Sequence, residues 1–138
     1  MSKELIQKAR KLAQEIVAPI TESVDKEGRF PKEAYDALKK QGFMGLLVPK
    51  EFGGLGFSII EHTGVCYELA RKDATTGLCY MMHNTGTSGI VSFGSAAMKD
   101  EFLPKIAKGE RAIALAYSES GSGTHFGSPD ISESLENG

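Results

Sequence analysis

A chain of 138 residues, 41% of them hydrophobic and 25% charged, suffices for one soluble globular domain and part of a second. Its 16 basic and 18 acidic residues leave a net charge of -2, too weak a field to favour nucleic acid or an anionic membrane surface. The apolar runs are too short to span a membrane, and the N-terminus lacks the residue order of a secretory signal. Cys66 and Cys79 lack CxxC spacing, so two buried, reduced thiols in a cytoplasmic protein are expected.

Ser2 is placed to cap a first helix, with Leu5, Ile6, Ala9, Leu12, Ala13, Ile16, Val17 and Ile20 at helical spacing. Lys8, Arg10, Lys11, Gln14 and Glu15 fill the other face, so the helix needs a partner. A core-facing role is preferred to a membrane-surface one. Pro19 is expected to kink or end the helix, because proline lacks the N–H and clashes with the preceding turn. Residues 25–30 read as a polar connection. Pro31 takes the first position of a second helix, whose stripe is Ala34, Tyr35 and Leu38, and Gly42 ends it with Phe43 packing back.

The stretch from Glu51 to Ser58 holds Gly53, Gly54 and Gly56. A chain-reversing turn is preferred here to a phosphate loop, since no Lys-Ser or Lys-Thr follows. Ser58 and Glu61 form a capping box for a helix to about Lys72, and Asp73 caps the next, which runs to about Phe93 before Gly94. No charged residue occurs from Ala74 to Phe93, so this helix is expected to be buried on every face. Within it, His83 and Asn84 sit where burial demands hydrogen-bond partners. His83 reads either as a bonded core histidine or as part of a helix lining a ligand pocket. Ser95 caps a last helix that carries Pro104 and closes at Gly109.

An apolar run from Arg111 to Ala116 reads as a strand that delivers the loop Tyr117-Ser118-Glu119-Ser120-Gly121-Ser122-Gly123-Thr124. Glycines let a backbone approach a bulky anionic cofactor closely, and N–H groups and hydroxyls supply donors. The glycines at 121, 123 and 127 miss the dinucleotide pattern G-x-G-x-x-G, and no apolar helix follows, so a Rossmann unit is rejected. His62 and Cys66, four apart, lack a second ligand pair, and no metal site is assigned. Ser118, His83 and Asp130 could be written as a triad, but no nucleophile-elbow sequence surrounds any serine.

Three stretches together carry a resemblance: Val48-Pro49-Lys50-Glu51-Phe52-Gly53-Gly54-Leu55-Gly56, Phe102-Leu103-Pro104-Lys105-Ile106-Ala107-Lys108-Gly109-Glu110, and above all Leu115 to Thr124. With the helical opening and the His83-Asn84 segment, nearly the whole chain resembles the N-terminal part of the acyl-CoA dehydrogenase family of flavoproteins. The resemblance implies a mainly α fold: a helical N-terminal bundle over residues 1–110, then the first strand of a truncated, flavin-binding middle β-domain over residues 111–138. It implies FAD as cofactor, with Leu115, Tyr117 and Ser118 at the flavin ring edge and Gly123 and Thr124 by its phosphates.

It further implies an acyl-CoA substrate oxidised to the 2,3-enoyl form, in fatty acid metabolism. An electron-transfer flavoprotein would be the acceptor, and the whole enzyme would be a homo-oligomer. The family's glutamate base belongs to a C-terminal bundle, so no catalytic residue is assigned here, and these 138 residues alone are expected to be inactive. Ser120 stands where the family usually has proline, and His125 where it has an acid. The alternatives are a flavin-dependent oxidase or monooxygenase of the same superfamily, and a cofactor-free helical interaction module.

Overall fold

The computed structural model describes residues 2–116 together with Glu119, Gly121 and Gly127. Its helices are α1 (Lys3–Leu12), α2 (Ala18–Glu27), α3 (Lys32–Lys40), α4 (Ile59–Ala70), α5 (Ala74–Phe93) and α6 (Ala96–Ala107). Four of them start on side-chain caps. Ser2 accepts from the Leu5 N–H at 3.4 Å, Asp73 from the Thr76 N–H at 2.6 Å, and Ser95 from the Met98 N–H at 3.3 Å. Ser58 and Glu61 close the capping box reciprocally. Each cap satisfies a donor that the first helical turn leaves free.

Pro19 does not end the first helix. A π-helical stretch, Ala13–Val17, joins α1 to α2, and the Ala18 N–H reaches the Ala13 carbonyl five residues back. The wider turn places proline in the first turn of the resumed α-helix, where a missing N–H costs nothing. Pro31 is likewise one place earlier than expected, at the N-cap of α3. Gly42 leaves α3 with φ 77°, as its C′ position requires.

The main core joins Leu5, Ala9, Leu12, Ala13 and Val17 to Ala34 and Leu38 of α3, Val65 and Leu69 of α4, Phe43, Met44 and Leu46 of the link, and Tyr80 of α5. A smaller cluster forms where Val48 meets Leu103 and Ile106 of α6. Arg10 ties α1 to α4 through both oxygens of Glu68, at 2.8 and 3.2 Å, and holds that buried carboxyl below the usual range. The glycine stretch is a reversal: the amides of Gly53, Gly54, Leu55, Gly56 and Phe57 are all spent on carbonyls between Gly45 and Lys50. A Cβ at Gly54 would lie 2.1 Å from the Val48 carbonyl oxygen, so only glycine lets the chain fold back this closely.

One expectation needs correction. α5 is not buried on every face. Its inward side carries Thr76, Gly77, Tyr80, His83, Asn84, Gly86 and Thr87, while Leu78 and Phe93 are 56% and 91% exposed. The inward side is polar because Tyr80, His83 and Thr87 and the Asn84 amide nitrogen find partners there, while the Asn84 Oδ1 has none among the described residues. Residues 111–116, the described part of the expected first strand, run without ladder bonds among the described residues. Ile113 and Leu115 are half-buried while Ala112, Ala114 and Ala116 are exposed, the alternation of an extended chain. A strand is defined by its ladder partner, and no described residue offers one.

Candidate functional site

The site is built on α5. Its inward polar groups are bonded one after another: the Tyr80 hydroxyl donates to the Phe43 carbonyl at 2.9 Å, the Asn84 amide to the Tyr80 carbonyl at 3.1 Å, and the Thr87 hydroxyl to the His83 carbonyl at 2.8 Å. His83 is fully buried and uses both ring nitrogens. Nε2 lies 2.9 Å from the Met44 carbonyl, and Nδ1 accepts the Ile113 N–H at 3.2 Å. One turn further along, a Cβ at Gly86 would lie 2.4 Å from the Ile113 Cγ2, so the missing side chain makes room for Ile113. These two features seat residues 111–116 across the helix.

Seated there, the segment closes one side of a groove of about 370 Å³. Phe30, Tyr35, Leu78, Cys79 and Met82 form the other walls, with Ala112, Ile113, Ala114 and Leu115 along the segment. The Phe30 and Tyr35 rings meet at 4.9 Å between centroids, and the Tyr35 hydroxyl faces the Cys79 carbonyl at 3.5 Å. Burial pushes the Tyr35 phenol up to about 12 and raises the Cys79 thiol as well, with Asp73 adding to the latter. Both groups therefore stay protonated at neutral pH. The groove is a neutral, apolar slot suited to an uncharged hydrocarbon group, and its walls carry nothing that moves a proton at that pH.

Of the residues expected at a cofactor, Leu115 lies in this groove. Tyr117, Ser118, Gly123 and Thr124 lie outside the described residues. His62 and Cys66 do meet, with Nε2 and Sγ 3.3 Å apart beside the Tyr80 ring. Burial pushes that thiol up to about 11, so it is no thiolate at neutral pH. α5 lines the groove, as one reading of the His83 segment had it, but through Leu78, Cys79 and Met82 and not through His83; the walls at Phe30 and Tyr35 and the partners of His83 gave no pattern in the sequence. One signal was present: Phe30 is an aromatic residue in an otherwise polar connection, and it is 54% exposed beside the groove.

The sequence model of the family described as acyl-CoA dehydrogenase, N-terminal domain, matches residues 2–110. The chain belongs to the acyl-CoA dehydrogenase family. Among curated proteins, an acyl-CoA dehydrogenase of Bacillus subtilis is 31% identical over 130 residues, covering 94% of this chain and 34% of that protein. A 3-(aryl)acrylate reductase of Clostridium sporogenes is 33% identical over 127 residues, covering 90% of this chain and 33% of the reductase. Among solved structures, an acyl-CoA dehydrogenase complexed with FAD from Bacillus anthracis aligns with a TM-score of 0.80 and 25% identity, over 90% of this chain and 21% of that one. The chain thus spans about a third of the length of the curated relatives it matches. No described helix is long and apolar enough to cross a membrane.

Proposed function

We propose that this chain is the N-terminal part of an FAD-dependent acyl-CoA dehydrogenase, which converts an acyl-CoA thioester to its 2,3-enoyl form. The observation that carries this reading is the apolar groove that ends at Leu115, where the glycine and hydroxyl loop begins. Its walls would hold the acyl chain, each buried CH2 contributing about 0.8 kcal/mol, and would keep water from the carbons that react.

The described residues fit a flavin to the extent that they reach it. Leu115 offers an apolar contact at the edge of the groove, and the loop after it supplies the donors that a flavin's polar edge and phosphates require. Tyr117 and Ser118 would hold the ring edge, and Gly123 and Thr124 the phosphates. FAD, when bound, supplies the acceptor for hydride. We assign no base within these residues, and expect the 138 alone not to turn over. A β-domain beginning at residue 111, a homo-oligomer, an electron-transfer flavoprotein as acceptor, a cytoplasmic site of action and a role in fatty acid metabolism complete the proposal.

In the protein expressed from its full reading frame, Ser118→Val with Thr124→Val should weaken FAD retention by roughly tenfold or more, since two polar contacts are lost. Unchanged flavin content would remove these residues from the cofactor site. Met82→Trp should leave FAD content intact but fill the groove and shift preference toward shorter acyl chains. An unchanged chain-length profile would mean that the acyl group lies elsewhere. The reductase among the relatives supports a second reading in which the same site runs toward the saturated acid, so turnover should be assayed in both directions.

A further inference from the structure

We propose that His83 is a positioning residue that fixes segment 111–116 on α5, and that it does so only as the neutral ring with its proton on Nε2. The chemistry of its two partners dictates that form. The Met44 carbonyl can only accept, so Nε2 must carry the proton. The Ile113 N–H can only donate, so Nδ1 must be bare. The reverse tautomer breaks both bonds, and the imidazolium turns an N–H toward an N–H.

The ring therefore joins three parts of the fold, from Met44 through α5 to Ile113, across 39 and 30 residues of sequence. Gly86 completes the seat three residues on, by making room for the Ile113 side chain on the same helix face. A backbone bond and a side-chain contact at one residue together fix how far the chain advances along α5. That in turn decides where Leu115 and the loop after it begin.

The titratable groups about the ring are Tyr35 of α3, edge-on at 6.4 Å between centroids, and His62 of α4, which His83 influences electrostatically. Beside them lie Cys79 and Tyr80 of α5, and Cys66 against His62. None is an acid that could stabilise a charged ring. Burial is the main influence on His83 and lowers its proton affinity, while the Met44 carbonyl opposes this more weakly. Acidification should therefore undo the seat in one step, by filling the lone pair that Ile113 uses. The consequence for flavin placement rests on the proposed function; the latch itself does not.

The test uses the 138-residue chain without flavin. With ring nitrogens labelled with nitrogen-15, at pH about 8, His83 should show a bare Nδ1 and a protonated Nε2. The opposite tautomer would overturn the proposal. Hydrogen exchange is then followed as the pH falls. As the His83 ring protonates, the protection factor of the Ile113 amide should drop roughly tenfold more than that of Leu69 in α4, which follows global stability alone. Protection at Ile113 that ignores the titration would overturn the proposal too. His83→Phe, which offers the Ile113 N–H no acceptor, should give the low-pH behaviour at every pH; if that variant does not fold, the wild-type titration decides alone. No arm reads flavin, so a chain that failed to bind FAD would leave these results intact.

Discussion

At the scale of the residue, the two inward histidines set how the fold responds to acid. His62 and His83 are both held below the ordinary value of 6.5, chiefly by burial. The unfolded chain therefore takes up protons that the folded chain refuses, and stability rises with pH between the folded and unfolded values. It is full above pH 6.5 and is lost as the pH falls through the lower folded values. The paired carboxylates act in a separate window: Glu68, lowered by Arg10, loses its contribution only below 4.5. Urea denaturation at a series of pH values should show stability falling between 6.5 and 4.5, with the slope reduced in a variant lacking either histidine. A flat profile across that window would contradict the buried, neutral assignment. That His83 needs partners was legible from its place in a charge-free helix. Which partners it takes was not, because both lie 30 or more residues away.

At the scale of the element, the N-caps and the inward stripes of α1 and α3 were legible, and the environment of α5 was not. Ser2, Ser58, Asp73 and Ser95 cap as their spacing implied, because a cap bonds within three residues of itself. Asp73→Ala should cost about 1 kcal/mol in a thermal or urea melt, the usual loss when a cap becomes alanine. Pro19 does not end the helix, because a proline rule cannot foresee that a π-helical turn re-registers the helix ahead of it. The face of α5 was misread for a different reason. Absence of charge reports that a surface is not meant for water, and does not report which neighbour covers it. Residues 111–116 carry the alternation of a strand, which is local, while a ladder partner is not local and none lies among the described residues.

At the scale of the whole molecule, the helices act together as a mount for one segment and one groove. The core packs α1, α3 and α4 around Tyr80 and Leu69, and thereby fixes α5; α5 in turn carries residues 111–116. The groove was illegible in the sequence because its walls come from residues near 30, near 80 and near 114. The family was legible, because ordered short motifs survive where no single contact can be inferred. On the proposed function, this mount serves a flavin acting on an acyl-CoA. The most direct test is anaerobic titration of the protein, expressed from its full reading frame, with saturated acyl-CoA thioesters of increasing length. The expected result is a protein that retains FAD, whose flavin absorbance bleaches as 2,3-enoyl-CoA forms. A protein that binds no FAD, or whose flavin no acyl-CoA alters, would contradict it.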